Sequence, residues 1–461
     1  MDFYSANLVA FCTLNAILLH QTRRRDFPRE LPIEEGKPVD PERLRTARAF
    51  QRRFLVGYAL VVGADWLQGP HIYATYKYEK GLSEEIVALL YATGFIASAI
   101  SAIFAGQVAD CWGRKARCRD YCILSAYSCV MIHCESLLLL FVGRVFGGMA
   151  TTILFSVFEA WMIAEYHNLG LDDSVLPLNT VFRNMTLVSS IVAIISGVAG
   201  DAIVQALGNR KWPFALSILS ATVASFWIQA YWTESYGTRA AIEDQKTDLG
   251  RGVRTVLTNK RILAIGIASC CFEGAMYLFV FFWSPALKSA RLRAGSEEEL
   301  PFGIIFASFM CAMMVGAIIF SSRLGVPSRE SATWGVLMAM LFASASLSCA
   351  VLFDSERALF LAFVSFELCV GAYFPIMGFL KSELIEDGVR GSVYSLLRLP
   401  LNLFVVGAHS LAREGMSMLR KLGRRTILTR GSAGDDHRNN VFLTLAGLLV
   451  VASLVCKAKL A

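Results

Sequence analysis

The ten residues Gly106-Gln107-Val108-Ala109-Asp110-Cys111-Trp112-Gly113-Arg114-Lys115 join two apolar runs, 83–105 and 118–134. Gly113 permits a tight turn, Asp110 can cap or pair at a helix end, and Arg114, Lys115, Arg117 and Arg119 form a basic cluster suited to an anionic cytoplasmic surface. Taken as a cytoplasmic loop between two membrane helices, the stretch orients the chain on either side of it. Outward from it, apolar runs of about 20 residues, the length that crosses a bilayer, also occupy 3–20, 52–77, 136–166, 179–207 and 213–233. Further runs follow at 261–289, 300–322, 331–352, 357–380, 391–412 and 440–457. The first is expected to be a retained anchor helix (1–20), because no small-residue cleavage site flanks it. The expected organisation continues with a cytoplasmic linker (21–51), six helices (52–233), a polar cytoplasmic loop (234–260) and six more helices (261–457).

Composition agrees with an all-α integral membrane protein. Of 461 residues, 55% are hydrophobic and only 18% charged, and mean hydropathy is +0.51. Such a chain is neither a soluble enzyme nor a disordered protein nor a disulfide-built secreted domain. The net charge of +7 does not read as a nucleic-acid surface, because the basic residues fall between apolar runs. With 114–119 inside, cytoplasmic segments hold 26 of the 44 Lys and Arg against 15 outside, and three arginines lie within spans. This is the positive-inside bias. The segment 413–439 runs against it, with seven basic residues on the outer side. The 12 cysteines sit mostly inside apolar runs without zinc-type spacing, so neither metal nor cofactor is expected.

The two halves carry matched features. Phe158-Glu159 and Phe366-Glu367 are 208 residues apart, as are the mid-span acids Asp65 and Glu273; Gly94 and Gly303 are 209 apart, Ala97-Ser98 and Ala307-Ser308 210, and Arg183 and Arg398 215. Matches in chain order with slowly drifting offset argue for duplicated halves, the internal repeat from which transporters build a site.

The loop from Gly106 to Lys115 matches the major facilitator signature G-x-x-x-D-[RK]-x-G-[RK]-[RK], with Cys111 where a basic residue is usual. Gly143-Arg144-Val145-Phe146-Gly147-Gly148 is similar to that superfamily's arginine motif in the fourth core helix. Further strings narrow the resemblance. Asp65-Trp66-Leu67-Gln68-Gly69-Pro70, Phe155-Ser156-Val157-Phe158-Glu159-Ala160-Trp161, Pro301-Phe302-Gly303-Ile304-Ile305-Phe306, Tyr373-Phe374-Pro375 and Arg398-Leu399-Pro400-Leu401 together resemble the molybdate-anion transporter family, including its animal orphan-like branch. The resemblance implies a major facilitator fold of twelve core helices in two pseudo-twofold bundles of six, plus one N-terminal helix, carrying the MoO4 dianion by alternating access. The basic stretch 413–430 departs from the short loop the family pattern suggests.

Ionisable residues inside spans are costly and mark function or tight pairing. Arg183 and Arg398, at matched places in the halves, are candidates to grip a dianion, since a guanidinium offers paired donors and keeps its charge. Arg144 is a third candidate. Each arginine can instead pair internally with Glu159 or Glu367. Asp65, Glu159, Glu273 and Glu367 are candidate proton-coupling or gating groups, or else links between helices. His71 reads as a satisfied polar group rather than a proton relay. Gly106, Asp110, Gly113, Arg114 and Lys115 form the structural loop motif.

The expected protein is therefore a secondary transporter, not an enzyme, with no nucleotide-binding G-x-x-x-x-G-K-[ST] loop. Its expected partners are molybdate, protons and the bilayer, with no nucleic acid. It is expected as a monomer in the plasma membrane or an organelle membrane. Another anion, such as sulfate or an organic acid, or a transporter-like nutrient sensor, are the competing readings.

Overall fold

The computed structural model describes residues 2–26, 33–34, 37–38, 40–172, 174–237, 253–324, 328–353, 355–385, 393, 396–397, 400–401, 403–405, 407 and 433–460. Apart from a two-residue antiparallel ladder pairing Ile33 with Pro38 and Glu34 with Lys37, the described elements are helical. They are α1 (Phe3–Asp26), α2 (Pro41–Trp66), α3 (Gly69–Ala74) with a π-helical turn at Thr75–Glu79, α4 (Glu84–Ala102), α5 (Ala105–Trp112), α6 (Arg114–Ile132) and α7 (Leu137–Asn168). After these come α8 (Leu178–Leu207), α9 (Trp212–Tyr231), α10 (Lys260–Arg293), α11 (Phe302–Leu324), α12 (Arg329–Leu352), α13 (Glu356–Leu384) and α14 (Ala433–Leu460).

Ten described helices are long and apolar enough to cross a membrane. Two expected spans fall short for visible reasons. α2 starts with Arg43, Arg45, Arg48, Arg52 and Arg53, and its apolar part continues past Trp66 into α3, where Gly69 and Pro70 interrupt the helix. α6 opens on Arg114, Lys115, Arg117, Arg119 and Asp120. The expected span 391–412 falls mostly outside the described residues, as does most of the basic segment 413–439.

Polar caps set the helix starts. Asp40 accepts the Glu42 N–H at 3.0 Å ahead of Pro41, Asn259 accepts the Arg261 N–H at 3.0 Å, and Ser328 accepts the Ser331 N–H at 3.2 Å.

The chain divides into two compact units. The first comprises His20–Lys80 and Thr93–Asp244. Its core is aromatic: the Phe54 ring lies near Tyr58 and Trp161, and Trp161 stacks on Trp232 with centroids 3.8 Å apart. Trp161 also donates through Nε1 to the Thr233 carbonyl at 2.8 Å, which gives the indole's polar edge a partner.

The second unit comprises Met1–Leu19, Gly81–Ala92 and Gln245–Ala461. Phe279 packs among Phe309, Phe363 and Phe366. Residues 81–92, placed by sequence with the first six helices, belong here: Tyr91 meets Phe281 edge-on, and Glu84 lies 3.9 Å from Arg438. The N-terminal helix, expected to stand apart, packs on this unit too. Asn15 Nδ2 donates to the Cys311 carbonyl at 3.0 Å, the Tyr4 hydroxyl donates to Glu356, and Tyr4 meets Phe360 edge-on.

Lipid supplies no hydrophobic drive between membrane helices, so close packing at small residues has to hold them. A Cβ on Gly148 (α7) would lie 2.2 Å from the Gly94 carbonyl oxygen (α4); one on Gly371 (α13) would lie 1.8 Å from the Met313 carbonyl oxygen (α11). A Cβ on Gly316 would lie 2.1 Å from the Leu368 carbonyl oxygen. Backbone meets backbone at both crossings.

Candidate functional site

In the first unit, Asp65 stands in the last turn of α2 and Arg144 in the first half of α7. The Arg144 guanidinium lies flat against α4, its Nη2 2.6 Å from where a Gly94 side chain would begin. Asp65, Tyr76 and Cys129 lie within its electrostatic reach. Tyr58 lies within electrostatic reach of Asp65 and Glu159, and Ser189 accepts the Trp66 Nε1–H at 3.2 Å. Glu159 and Arg183 are exposed on the described surface of the unit.

The Asp-Trp-Leu-Gln-Gly-Pro string is a polar clasp. Gln68 Nε2 lies 3.0 Å from the Ala64 carbonyl, 3.2 Å from Ser125 Oγ and 3.1 Å from Ser217 Oγ, tying the broken α2–α3 segment to α6 and α9. His71 does not match its expected role. It is 1% exposed, and neither ring nitrogen has a hydrogen-bond partner among the described residues.

In the second unit, Glu273 on α10 faces α13. Lys381 Nζ lies 3.4 Å from Glu273 Oε1, and the Tyr373 hydroxyl lies 3.4 Å from that same oxygen and 3.4 Å from Ser269 Oγ. Phe272 stacks on Tyr373 at 3.9 Å and holds the ring. Glu367 is 4% exposed on α13, with no hydrogen bond or ion pair to it among the described residues. Arg398 lies outside the described residues, so its matched position with Arg183 has no structural counterpart here.

Two matched pairs of acids fall on corresponding helices but at different heights. Glu159 stands 22 residues after the start of α7, Glu367 only 11 after the start of α13. Asp65 stands 24 residues into α2, Glu273 13 into α10. The glycine crossings give the register instead: Gly148 and Gly371 are 223 residues apart, and the carbonyls they meet, those of Gly94 and Met313, are 219 apart. An offset of 208 is therefore displaced by about four turns, roughly 20 Å along a helix. In the glycine register Glu367 corresponds to Arg144, each four residues before its contact glycine.

The loop motif is a clasp as well. Gly113 has φ +94°, a conformation that suits glycine. Asp110 pairs with Arg114 at 2.8 Å. Glu234, read from sequence only as the start of a polar loop, caps α6 by accepting the Lys115 and Ala116 N–H groups at 2.8 and 3.1 Å. Gly237 N–H donates to the Asp110 carbonyl at 2.9 Å, and Lys115 Nζ donates to the Gln229 carbonyl at 3.0 Å.

Sequence reasoning missed Lys381 because a lysine in the last turn of a span counts as a topology signal. The available clue was the i, i+4, i+8 stripe Tyr373, Met377, Lys381. Among the described residues no group of three or more His, Cys, Asp or Glu side chains is placed to hold a metal ion. A cleft of about 140 Å³, lined by Phe50, Arg53, Trp161, Glu165 and Tyr231 among others, contains none of the predicted site residues.

Ten apolar helices of spanning length among the described residues define a multi-pass membrane protein. The family model MFS_5, described as sugar transporters, 12 TM, matches residues 40–362. A molybdate-anion transporter of Takifugu rubripes is 28% identical, covering 98% of this chain and 94% of that protein. One from Xenopus tropicalis is 30% identical over 77% of each. Among solved structures, the nucleoside transporter NupG has a TM-score of 0.62 at 15% identity, covering 89% of this chain and 98% of that one. The human organic anion transporter MFSD10 (TETRAN) has 0.59 at 14%, covering 89% and 99%. The chain belongs to the molybdate-anion transporter family of the major facilitator superfamily.

Proposed function

We propose that the protein moves molybdate across a membrane by alternating access, coupled to protons, as a monomer. The single observation that carries this reading is the 28% identity to a molybdate-anion transporter across 98% of the chain. The intramembrane charges suit it. A tetrahedral dianion needs cationic donors, and Arg144, Arg183 and Arg398 are assigned as its binding residues. Moving a dianion inward against 100 mV costs about 4.6 kcal/mol. A coupled cation offsets that cost, and Asp65, Glu159, Glu273 and Glu367 are assigned as the proton-coupling or gating groups. Gly106, Asp110, Gly113, Arg114 and Lys115 form the structural loop. Residues 52–233 and 261–457 act as its two bundles, with 234–260 joining them, in the plasma membrane.

The test is uptake of radiolabelled molybdate by purified protein in liposomes, with sulfate competition and an imposed pH gradient. Accumulation driven by the gradient and resistant to excess sulfate is the expected result. Full competition by sulfate would move the substrate to another oxyanion, and binding without flux would make the protein a sensor.

A further inference from the structure

We propose that the cleft at the charged end of the first unit seats the headgroup of an ethanolamine phospholipid, with Arg53 on its phosphate and Glu165 on its ammonium group. The proposal does not depend on what the protein carries, and neither residue has a role in the site described above.

The cleft lies where three helices of this unit change from apolar to charged. α2 carries five arginines over 43–53 and then no charged residue from Phe54 until Asp65. α7 runs on from Trp161 into Glu165 and His167 at its end, and α9 holds no charged residue and ends at Tyr231, three residues before Glu234. A cleft lined by Arg53, Glu165 and Tyr231 therefore sits at the level of lipid headgroups, where charged and aromatic side chains meet the membrane surface. Its volume of about 140 Å³ is the room of roughly five waters. Pockets for drug-sized ligands run to roughly 300–1,000 Å³, so the occupant is a small polar group and not a large metabolite.

Four of the lining residues, Thr46, Ala49, Phe50 and Arg53, have the i, i+3, i+4, i+7 spacing of one α2 face, which puts the cleft on a rigid element. Arg53 is also held from behind, since its carbonyl accepts the Nε1–H of Trp227 at 3.0 Å and of Trp232 at 3.2 Å. Among the described residues its guanidinium makes no ion pair. Glu165 accepts the Thr233 hydroxyl through Oε2 at 2.5 Å, and its Oε1 takes no hydrogen bond among the described residues. Opposite charges thus line one cleft without closing on each other. A simple anion would meet Glu165 as a like charge, and a simple cation would meet Arg53 so. A zwitterion with its phosphate and ammonium two carbons apart matches both. The guanidinium fork suits phosphate oxygens, and a primary ammonium brings N–H donors for the open Glu165 oxygen and a charge for the faces of Phe50 and Tyr231. A choline headgroup has no N–H to give. The level of the cleft assigns the zwitterion to a lipid and not to a solute.

The experiment is binding of radiolabelled phosphatidylethanolamine to full-length, detergent-purified, delipidated protein. The competitors are unlabelled phosphatidylethanolamine, phosphatidylcholine, phosphatidylglycerol and soluble phosphoethanolamine. Phosphatidylethanolamine is expected to compete about ten-fold better than either other lipid, and phosphoethanolamine only at far higher concentration. Arg53→Ala should weaken binding about ten-fold, with Arg53→Lys restoring part of it. Glu165→Gln keeps an acceptor for Thr233 and loses the charge, so it should bind phosphatidylethanolamine and phosphatidylcholine alike. A merely structural role for Glu165 would not move that ratio. Equal competition by all three lipids, a preference for phosphatidylglycerol, wild-type binding by Arg53→Ala, or a Glu165→Gln protein that keeps the wild-type preference overturns the proposal. Phosphoethanolamine competing on a par with the lipid overturns the lipid assignment. If Arg53→Ala aggregates, Arg53→Lys and Glu165→Gln decide it on the same ratios.

Discussion

Arg144 and Arg183 are chemically identical and differently placed. Arg144 is laid against the Gly94 backbone with Asp65 in reach, so its charge is partly committed inside the first unit. Arg183 is exposed on the first unit. Arg183→Lys keeps the charge and loses the fork, so molybdate binding should weaken; Arg183→Ala should weaken it further, by about 10- to 150-fold, the equivalent of one charge-assisted contact. Binding measured on monodisperse protein checks the order, and wild-type affinity in Arg183→Ala would remove that residue from the site. That these positions are candidates was legible from their cost in a bilayer. Which of them lies against a helix backbone and which is exposed was not, because it depends on a glycine from a different helix. Lys381 was missed for a related reason: its position in the chain reads as a helix end, and only α10 packing against α13 turns it into the partner of Glu273.

The helices are held together by glycine crossings and by the N-terminal α1. Gly371 and Gly378 lie on the same helix, but a Cβ at Gly371 would lie 1.8 Å from the Met313 carbonyl oxygen and one at Gly378 meets nothing within 4 Å. Gly371→Ala should therefore destabilise by about 1–3 kcal/mol, since backbone has to move. Gly378→Ala should be neutral or stabilising by up to about 1 kcal/mol from helix propensity. Thermal unfolding of the detergent-purified variants separates the two, and equal melting temperatures would refute the crossing. For α1, Cys12 Sγ lies 3.7 Å from Cys311 Sγ. A mild thiol oxidant should link them, so that after proteolytic cleavage within residues 27–39 the N-terminal fragment stays attached until a reductant is added. A fragment released without reductant would place α1 elsewhere. The sequence spoke clearly on which segments are helical, through run length and caps such as Asp40 and Asn259. It was silent on the partner of α1, because an apolar helix facing lipid and one facing protein have the same composition.

For the transporter as a whole, coupling is the property to test. Replacing Asp65, Glu159, Glu273 or Glu367 singly by the amide should, for at least one of them, abolish uptake driven by a pH gradient while preserving exchange of anion for anion. Unchanged pH dependence in all four variants would take these carboxylates out of the mechanism. The amino-acid sequence alone determined the membrane class, the apolar helices and the family, since each follows from local hydropathy and short motifs that need no partner. Tertiary structure alone decided the register of the two halves. Matching Glu159 to Glu367 by spacing ignores where helices cross, whereas backbone contact at Gly148 and Gly371 matches Glu367 to Arg144. It also decided that Glu234 caps α6, that His71 is buried with neither ring nitrogen bonded among the described residues, and that Lys381 answers Glu273. The physical reason is common to all of these: in a bilayer, burying apolar surface does not choose between helix partners, so pairing rests on steric fit and isolated polar contacts between residues far apart in the chain.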